Sequence, residues 1–334
     1  MTEAHKQIAR DYWAACDTGA DIAAYFADSF LWEGPRPVAD AHAAADLMEN
    51  WLAPFRAGFP DIERQIHILM SGVSSGRVDG GPDGGTWVAG TGYLVGQPVA
   101  DVLGIPAVDQ GLSLRWGEFL RFEEDRIVEA QMLIDQMDWF EQIGRPVMPP
   151  ARGVPGVWPA QTEFDGIQSG QTNPGETDKT LKLGRALLFG GLNTFDESDL
   201  SSMGMARFFH PNIKWYGPGG IGACLSLDEF ETRHQQVWLA SFPNRKVQDL
   251  SLFADGRMLA ASGTAGVKAQ HTGAPYRGSG PAQGQEVNFS GLDFWLRSGD
   301  VFTENWVFVD FIKLYEELGI DLMDRMLQGG RLVA

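Results

Sequence analysis

The sequence has few of the residues that build disulfide frameworks and metal centres. Only two of its 334 residues are cysteine and six are histidine. Cys16 and Cys224 can supply neither a disulfide framework nor a cysteine zinc site. The sequence has no HExxH motif, no paired CxxC motif and no close histidine cluster. We therefore expect no metal centre and a reducing compartment.

Long apolar runs and an excess of positive charge are also absent. No run approaches the roughly 18 apolar residues that a membrane span needs. Residues 1–20 mix charged and apolar positions, without the apolar segment of a signal peptide. The 44 acidic and 26 basic residues give a formal net charge of −18, which repels nucleic acid and anionic membranes. These features predict a cytoplasmic protein that binds neither nucleic acid nor membranes.

The composition otherwise indicates a packed globular protein. Hydrophobic residues make up 44% of the chain and charged residues 21%, and eleven residues are tryptophan. The length suits two domains of ordinary size.

One stretch, Glu304–Asp310, has an unusual pattern of side chains. Because side chains alternate along a strand, Glu304, Trp306, Phe308 and Asp310 share one face. Large aromatic side chains between two carboxylates are costly to bury in a plain core and suit the lining of a pocket. The stretch continues into a predicted short helix that ends at Gly319.

The same design occurs earlier in the chain. The strand that ends at Asp135 is followed by a predicted helix that ends at Gly144, and the offset from Asp135 to Asp310 is 175 positions (310 − 135). A second pair of motifs, Trp32 to Pro35 and Trp215 to Pro218, has an offset of 183 (215 − 32). Phe59-Pro60 and Phe242-Pro243 share that second offset. The repeat predicts a protein of two related halves.

Each half has helices first and then a run of strands, which indicates an α+β fold with antiparallel strands rather than a parallel sheet. No Gly-rich phosphate loop joins a predicted strand to a predicted helix, which argues against a Rossmann fold. The predicted helices cover 4–16, 41–55 and 179–189, and the predicted strands cover 64–71, 86–95, 112–122, 126–135, 246–253, 257–267, 286–297 and 301–310. A Pro- and Gly-rich segment, 147–174, predicts a linker between domains at 1–146 and 175–334.

In these motifs and their order, each half resembles the SnoaL-like polyketide cyclases of the nuclear transport factor 2-like superfamily. The resemblance implies a cone-shaped α+β barrel with an apolar cavity and no cofactor. It also implies that the aspartate of the last strand, Asp310 and by repetition Asp135, shuttles a proton in an aldol ring closure. The Gly-Thr-His of the family is replaced by Gly263-Thr264-Ala265 and Gly90-Thr91-Gly92, so that His271 becomes a substitute candidate.

Tandem members of the superfamily include the lignin-catabolic diarylpropane γ-formaldehyde lyases, and the two-half architecture is compatible with that group. Our hypothesis is a cofactor-free carbon–carbon lyase acting on a hydrophobic aromatic substrate. A polyketide cyclase, an isomerase or dehydratase, and a non-catalytic binding module remain alternatives. The resemblance also makes a homo-oligomer plausible.

The candidate site residues follow from the resemblance and from the aromatic face of the last strand. A carboxylate held against aromatic rings has a raised pKa, which suits a base near neutrality. Asp310 has an alternative role as the N-cap of the helix that starts at Phe311. Ser74 lies in a GxSxG sequence, but a loop follows it instead of the helix of a nucleophile elbow. The catalytic candidates are Asp310, Asp135, His271 and Tyr216, and the substrate-binding candidates are Trp306, Phe308, Trp215, His234 and Tyr276.

Overall fold

The computed structural model describes residues 2–163, 166–168, 170, 172–194, 196 and 200–333. Within them the helices are α1 Thr2–Thr18, α2 Ala44–Leu47, α3 Ala53–Gly58, α4 Gln136–Gln142, α5 Pro174–Arg185, α6 Leu227–Glu229, α7 Gln236–Ser241, α8 Phe311–Glu317 and α9 Leu322–Gln328. The strands are β1 Phe26–Glu33, β2 Glu63–Val73, β3 Thr86–Gly96, β4 Leu112–Glu123, β5 Arg126–Ile134, β6 Phe209–Tyr216, β7 Ala223–Cys224, β8 Lys246–Val247, β9 Ser251–Asp255, β10 Met258–Gln270, β11 Glu286–Ser298 and β12 Val301–Val309. Short π-helical segments continue α5 and join α2 to α3 and α6 to α7.

The strands form two sheets, one in each half of the chain. The first sheet has the order β1-β5-β4-β3-β2, and the second has the order β7-β6-β12-β11-β10-β8, with β9 also paired to β10. This arrangement confirms the predicted α+β class with two sheet bodies. The sheets are open rather than closed barrels. The sequence predicted that all neighbouring strands would be antiparallel. This is wrong for one pair of strands in each half, because β1 lies parallel to β5 and β6 lies parallel to β12.

The two sheets pack against each other through one face, and their other faces meet the helices of their own halves. The inter-sheet contact consists of a cluster of buried apolar side chains from both halves: Ile68, Met70, Trp87, Ala89, Phe119, Leu133, Tyr216, Phe253, Met258, Ala260, Leu292, Phe294, Leu296, Trp306 and Phe308, with Ala223 and the linker residue Trp158. Alternate residues along each strand belong to opposite faces of the sheet. The residues between those of the inter-sheet cluster face the helices and are also largely apolar, so both faces of each sheet are apolar. The halves therefore associate as a dimer would, within one chain.

The described part of the predicted linker contains no helix or strand before α5 and packs on the protein surface. Trp158 is 4% exposed. Its carbonyl accepts a hydrogen bond from the Tyr93 hydroxyl at 2.9 Å, and the carbonyl of Pro159 accepts one from the Trp306 indole at 2.8 Å. The segment is thus fixed to both halves, and the domain boundaries drawn from the sequence stay a prediction.

Most predicted elements have bounds close to those observed, and one predicted strand is divided. The strand expected over 246–253 is interrupted between β8 and β9, where Gln248 and Leu250 donate their backbone N–H groups to Gly266 and Gly76 respectively. Within the described chain, no helix combines the length and the apolar character that crossing a membrane requires.

Candidate active site

The interior of the first half, between its sheet and its helices, is filled by tryptophan rings. The rings of Trp13 and Trp116 meet edge to face at 5.1 Å, and those of Trp32 and Trp51 stack at 6.3 Å. All four side chains are at most 2% exposed. This dense packing is that of a structural core.

A carboxylate, Glu118, lies in the middle of that packed interior. It accepts hydrogen bonds from the indole N–H of Trp13 at 2.6 Å, the indole N–H of Trp32 at 3.3 Å and the hydroxyl of Tyr12 at 3.3 Å. Burial raises the pKa of Glu118, while nearby Arg64 and these three donors oppose the rise. Enclosed in this way and 2% exposed, Glu118 has no room for a ligand.

The corresponding interior of the second half contains a cavity of about 170 Å³. Its lining is mostly aliphatic and aromatic, with few polar side chains. The polar or aromatic residues at its wall include Phe209, Trp215, Phe230, His234, Trp238, Ser262, Tyr276, Phe289, Ser290, Asp293, Trp295 and Asn305. An apolar cavity with a small number of convergent polar groups is the usual form of a small-molecule site.

The internal repeat explains why only one of these two interiors is open at this place. The offset of 175 positions that relates Asp135 to Asp310 also relates Trp116 to Gly291. The sheet register agrees, because Trp116 pairs with Ile134 and Gly291 pairs with Val309, each the residue before its aspartate. The same offset relates Trp13 to Leu188, which lines the cavity. Glycine and leucine thus replace two indole rings and leave space between them.

The same register makes Asp293 the counterpart of Glu118. Glu118 pairs with Met132 and Asp293 pairs with Val307, again 175 positions apart. Burial raises the pKa of the Asp293 carboxyl from 3.8 to about 7, and a hydrogen bond from Asn305 acts in the opposite direction. Asp293 is therefore the carboxylate of this fold position that faces a cavity instead of a packed core.

Asn305 holds Asp293 in place from the neighbouring strand. Its side-chain amide donates to Asp293 Oδ1 at 3.3 Å and to the carbonyl of Phe294 at 2.9 Å. At the position 175 residues earlier the first half has Ala130, which has no such donor. The Asp293–Asn305 pair is thus particular to the second half.

Trp215, His234 and Tyr276 provide further aromatic and polar groups at the cavity wall. The His234 ring stacks on Trp215 with centroids 4.1 Å apart. Burial lowers the pKa of His234 to about 3, helped by the charges of Arg277 and Arg245, so the imidazole is neutral near pH 7. Burial raises the pKa of Tyr276, so its phenol stays protonated. Both side chains can donate a hydrogen bond without carrying charge.

Four of the predicted site residues line this cavity: Trp215, His234, Tyr276 and Phe308. The predicted catalytic aspartates do not. Asp310 caps α8 by accepting from the Lys313 N–H at 2.9 Å, and it borders a separate crevice of about 60 Å³ between the halves. Burial does raise its pKa, as expected of a carboxylate among apolar groups. Its position at the strand end nevertheless keeps it out of the second-half cavity.

Asp135 has the equivalent place in the first half and is bound more tightly. It caps α4 through the Asp138 N–H at 3.1 Å, and its carboxylate pairs with Arg115 at 2.8 Å. It also accepts from the backbone N–H of Gly219 in the second half at 2.8 Å. With these partners Asp135 joins the two halves rather than facing a substrate.

The aromatic face of the last strand corrects the sequence interpretation. Trp306 and Phe308 belong to the apolar cluster between the two sheets, and the Phe308 ring packs on Trp158 at 4.9 Å. Tyr216 belongs to the same cluster and donates its hydroxyl to Glu304 at 3.3 Å. The opposite face of β12, with Asn305, Val307 and Val309, lines the cavity, as Phe308 also does in part. The predicted face of β12 thus packs mainly between the sheets, and its opposite face provides most of the contacts of this strand with the cavity.

His271 does not replace the missing family histidine at the cavity. It is fully buried, its Nε2 lies 3.0 Å from the carbonyl oxygen of Ala274, and its ring packs on Phe242. It is absent from the cavity lining. The side chains of Thr264 and Ala265 lie outside the described parts of the structure. Gly92 and Gly263 occupy equivalent register positions, opposite Trp116 and Gly291, so the two triplets are not aligned as the sequence suggested.

Asp293 and Asn305 were missed by reasoning from the sequence. The signal was present, since the offset of 175 that revealed the repeat aligns Glu118 with Asp293. A carboxylate in the middle of an aromatic strand in both halves marks a position worth testing. Among the described residues, no group of three or more His, Cys, Asp or Glu side chains is arranged to hold a metal ion.

Comparison with known proteins gives a family match for the first half of the chain. Residues 4–143 match the sequence profile of the family described as SnoaL-like polyketide cyclase. A search of curated protein sequences finds no match.

Several solved structures are similar to one half of the chain. A predicted SnoaL-like polyketide cyclase from Jannaschia is 12% identical over 44% of this chain and 95% of its own, with a TM-score of 0.36. IdmH, a predicted polyketide cyclase from Streptomyces antibioticus, is 17% identical over 42% of this chain and 98% of its own, with a TM-score of 0.34. An NTF2-like protein from Burkholderia thailandensis is 17% identical over 44% and 99%, with a TM-score of 0.33.

Proposed function

We propose that the protein is an enzyme of cyclase type that needs no cofactor, with its active site in the second-half cavity, since residues 4–143 match the profile of the SnoaL-like polyketide cyclases. In this proposal Asp293 is the general base and acid. The reaction is aldol-type chemistry at carbon on a hydrophobic aromatic substrate, in the direction of carbon–carbon cleavage.

The observation that carries the proposal is a carboxylate with a pKa of about 7 in an apolar cavity. General acid–base catalysis is most effective when the pKa of the catalytic group lies near the working pH. An aspartate of ordinary pKa would be a weak base at neutrality, and Asp293 is shifted in the useful direction by burial. Its counterpart Glu118 is also shifted but is enclosed by Tyr12, Trp13 and Trp32.

The cleavage reaction needs one proton relay and no redox partner. Asp293 removes the proton of a hydroxyl group β to a carbonyl, and that oxygen forms a new carbonyl as the adjacent carbon–carbon bond breaks. The electron pair of the broken bond passes into the enolate of the remaining fragment. The carboxylic acid of Asp293 then returns the proton to the enolate carbon, so atoms and charges balance. If the cleaved carbon is a hydroxymethyl group, the released fragment is formaldehyde.

His234 and Tyr276 are suited to stabilise the oxyanion that develops on the substrate. Both line the same cavity as Asp293, and both are neutral donors at neutral pH. Donors fixed in an apolar site stabilise developing negative charge more effectively than water does. The aromatic wall formed by Trp215 and Phe289 supports an aromatic substrate ring by stacking or edge contacts.

A polyketide cyclase is the second candidate function, and the family match of residues 4–143 favours it. Ring closure runs the same relay in reverse, since Asp293 would remove a proton from carbon and the enolate would attack a carbonyl within the same molecule. A non-catalytic binding protein would use the apolar wall without needing Asp293.

The test is product analysis with a panel of aryl β-hydroxy ketones, diaryl diols and polyketide-like precursors. The purified protein is treated with a chelator and incubated with each compound, and products are followed by mass spectrometry with a parallel formaldehyde assay. Loss of a one-carbon or larger carbonyl fragment supports the lyase. A new ring at unchanged or dehydrated mass supports the cyclase. Binding without turnover across the panel contradicts an enzyme of either kind.

A further inference from the structure

The wall of the second-half cavity has a gap that the first half lacks. Strand β10 loses its register with β11 between Gly263 and Val267, and the edge of the sheet is interrupted between β8 and β9. In the first half, β2 pairs with β3 from Glu63 to Val73 with a single local shift. The interruption is therefore a feature of the half that contains the cavity.

Leu250 fills this gap. A Cβ atom placed on Gly266 would lie 2.8 Å from Leu250 Cδ2, and one placed on Gly263 would lie 3.7 Å from it. The backbone N–H of Leu250 donates to Gly76 in the first half at 3.0 Å. The leucine side chain thus lies close to two glycines of β10, Gly263 and Gly266.

A surface groove of about 620 Å³ lies on the other side of Leu250. It is formed by a loop of the first half and the broken edge of the second sheet, and it is more polar than the cavity. Its lining consists of Arg77, Pro82, Asp83, Asp249, Leu250, Ser251, Ser262 and Gly263. Because Leu250, Ser262 and Gly263 also line the cavity, a single layer of residues separates the two spaces.

The size of the cavity requires such a second space for any large substrate. An apolar cavity of about 150 Å³ accommodates a benzene molecule. The volume here, about 170 Å³, therefore suits one substituted aromatic ring beside Asp293. A substrate with two rings would need to extend through the wall.

We propose that Leu250 is a specificity-determining residue that controls whether a second ring can pass from the cavity into the groove. One aromatic ring lies in the cavity and a second ring, with its polar substituents, lies in the groove between the halves. Through this arrangement the first half contributes to substrate recognition without a catalytic group of its own. The inference rests on the proposed function only in placing the substrate in the second-half cavity.

The experiment compares binding of phenol and hydroxybiphenyl by isothermal titration calorimetry. The proteins are the wild type, Leu250→Ala, which opens the gap, and Leu250→Trp, which blocks it. Leu327→Ala is the matched control, because Leu327 on α9 is 51% exposed and lines neither the cavity nor the groove. The preference for hydroxybiphenyl over phenol is expected to fall in the order Ala, Leu, Trp at position 250. The total change is at least about 10-fold, or about 1.4 kcal/mol, and Leu327→Ala leaves the preference unchanged.

Two results would overturn the inference. One is an equal change in the affinity for both compounds at position 250, which would make Leu250 an ordinary packing residue. The other is failure of the wild type to bind either compound. The binding readout is independent of catalysis. If the variants show the expected order of ligand preference but the protein turns over no substrate, the proposed enzyme is refuted and the role of Leu250 stands.

Discussion

Substitution of Asp293 by asparagine is expected to stabilise the protein while removing its activity. The pKa of Asp293 rises from 3.8 to about 7 in the folded state because burial disfavours the charge. A rise of roughly three units, at about 1.36 kcal/mol per unit, sets an upper limit of about 4 kcal/mol for the cost of the charged form. Water entering the cavity reduces this cost, and we expect about 1–3 kcal/mol near pH 8.

The sign of the pH dependence follows from linkage. A group with a raised folded pKa binds its proton more tightly in the folded state, so its contribution is most favourable below the unfolded pKa of 3.8. That contribution is lost as the pH rises towards 7 and stays lost above it. The asparagine side chain does not titrate, so the stability advantage of Asp293→Asn should widen with pH, by about 1–2 kcal/mol between about pH 5.5 and about pH 8.5.

Urea denaturation at these two pH values measures the effect, provided that the m-value is unchanged. Other titrating carboxylates, such as Glu118 and Glu304, cancel in the difference between variant and wild type. Asp300→Asn, at an exposed position in the turn between β11 and β12, is the control and should show no such gap. Equal or lower stability of Asp293→Asn at the higher pH would refute the claim that Asp293 is held at a cost in an apolar cavity.

Three further predictions concern the neighbours of Asp293 and the contact between the halves. For the wild type, kcat/KM should rise with pH around an apparent pKa near 7. Asn305→Leu removes the hydrogen-bond donor to Asp293 and should move that pKa upward. An unchanged pH–rate profile of this variant would contradict the pairing of Asn305 with Asp293. Leu188→Trp should refill the cavity as Trp13 does in the first half and weaken phenol binding by at least about 10-fold, as calorimetry would show, whereas unchanged affinity would place the ligand elsewhere. Asp135→Asn should keep most activity but lower the free energy of unfolding in urea by about 3–5 kcal/mol. The substitution leaves Arg115 buried with only Asp138 as a charged partner, and an undiminished stability would contradict a stabilising Asp135–Arg115 ion pair.

The repeat and the element order were predictable because they depend on local patterns. Both halves show strand alternation and helix periodicity, and the spacing from Asp135 to Gly144 recurs from Asp310 to Gly319. The structure confirms two α+β sheet bodies. The parallel pairing of β1 with β5 was not predictable in this way, since pairing between distant strands depends on the whole topology.

The site was harder to predict because both faces of β12 are apolar. In a sheet with one solvent-exposed face, the alternation of polar and apolar residues along each strand shows which side faces the core. Here one face meets helices and the other meets the second sheet. The face with the large aromatic residues Trp306 and Phe308 therefore indicated the inter-sheet contact. The opposite face, with the smaller side chains of Asn305 and Val307, lies at the cavity. Local pattern does not distinguish these two kinds of burial.

The distinction between Asp293 and Glu118 also required packed side chains. Both are carboxylates at one register position of the repeat, and both have a raised pKa. What separates them is whether Trp116 or Gly291 occupies the neighbouring position two residues earlier on the strand. The consequence of that exchange is a cavity, which appears only when the helices are in place.

The most direct test of the central claim is a comparison of single-turnover rates of the wild type, Asp293→Asn and Asp310→Asn with one accepted substrate. The two substitutions are chemically identical, and asparagine is as good a helix N-cap as the aspartate it replaces in Asp310→Asn. We predict that Asp293→Asn lowers the rate by about 10²–10⁴-fold, the usual contribution of a general base, while Asp310→Asn stays within about threefold of the wild type. Full activity of Asp293→Asn together with loss of activity in Asp310→Asn would contradict the account and return the catalytic role to the end of the last strand.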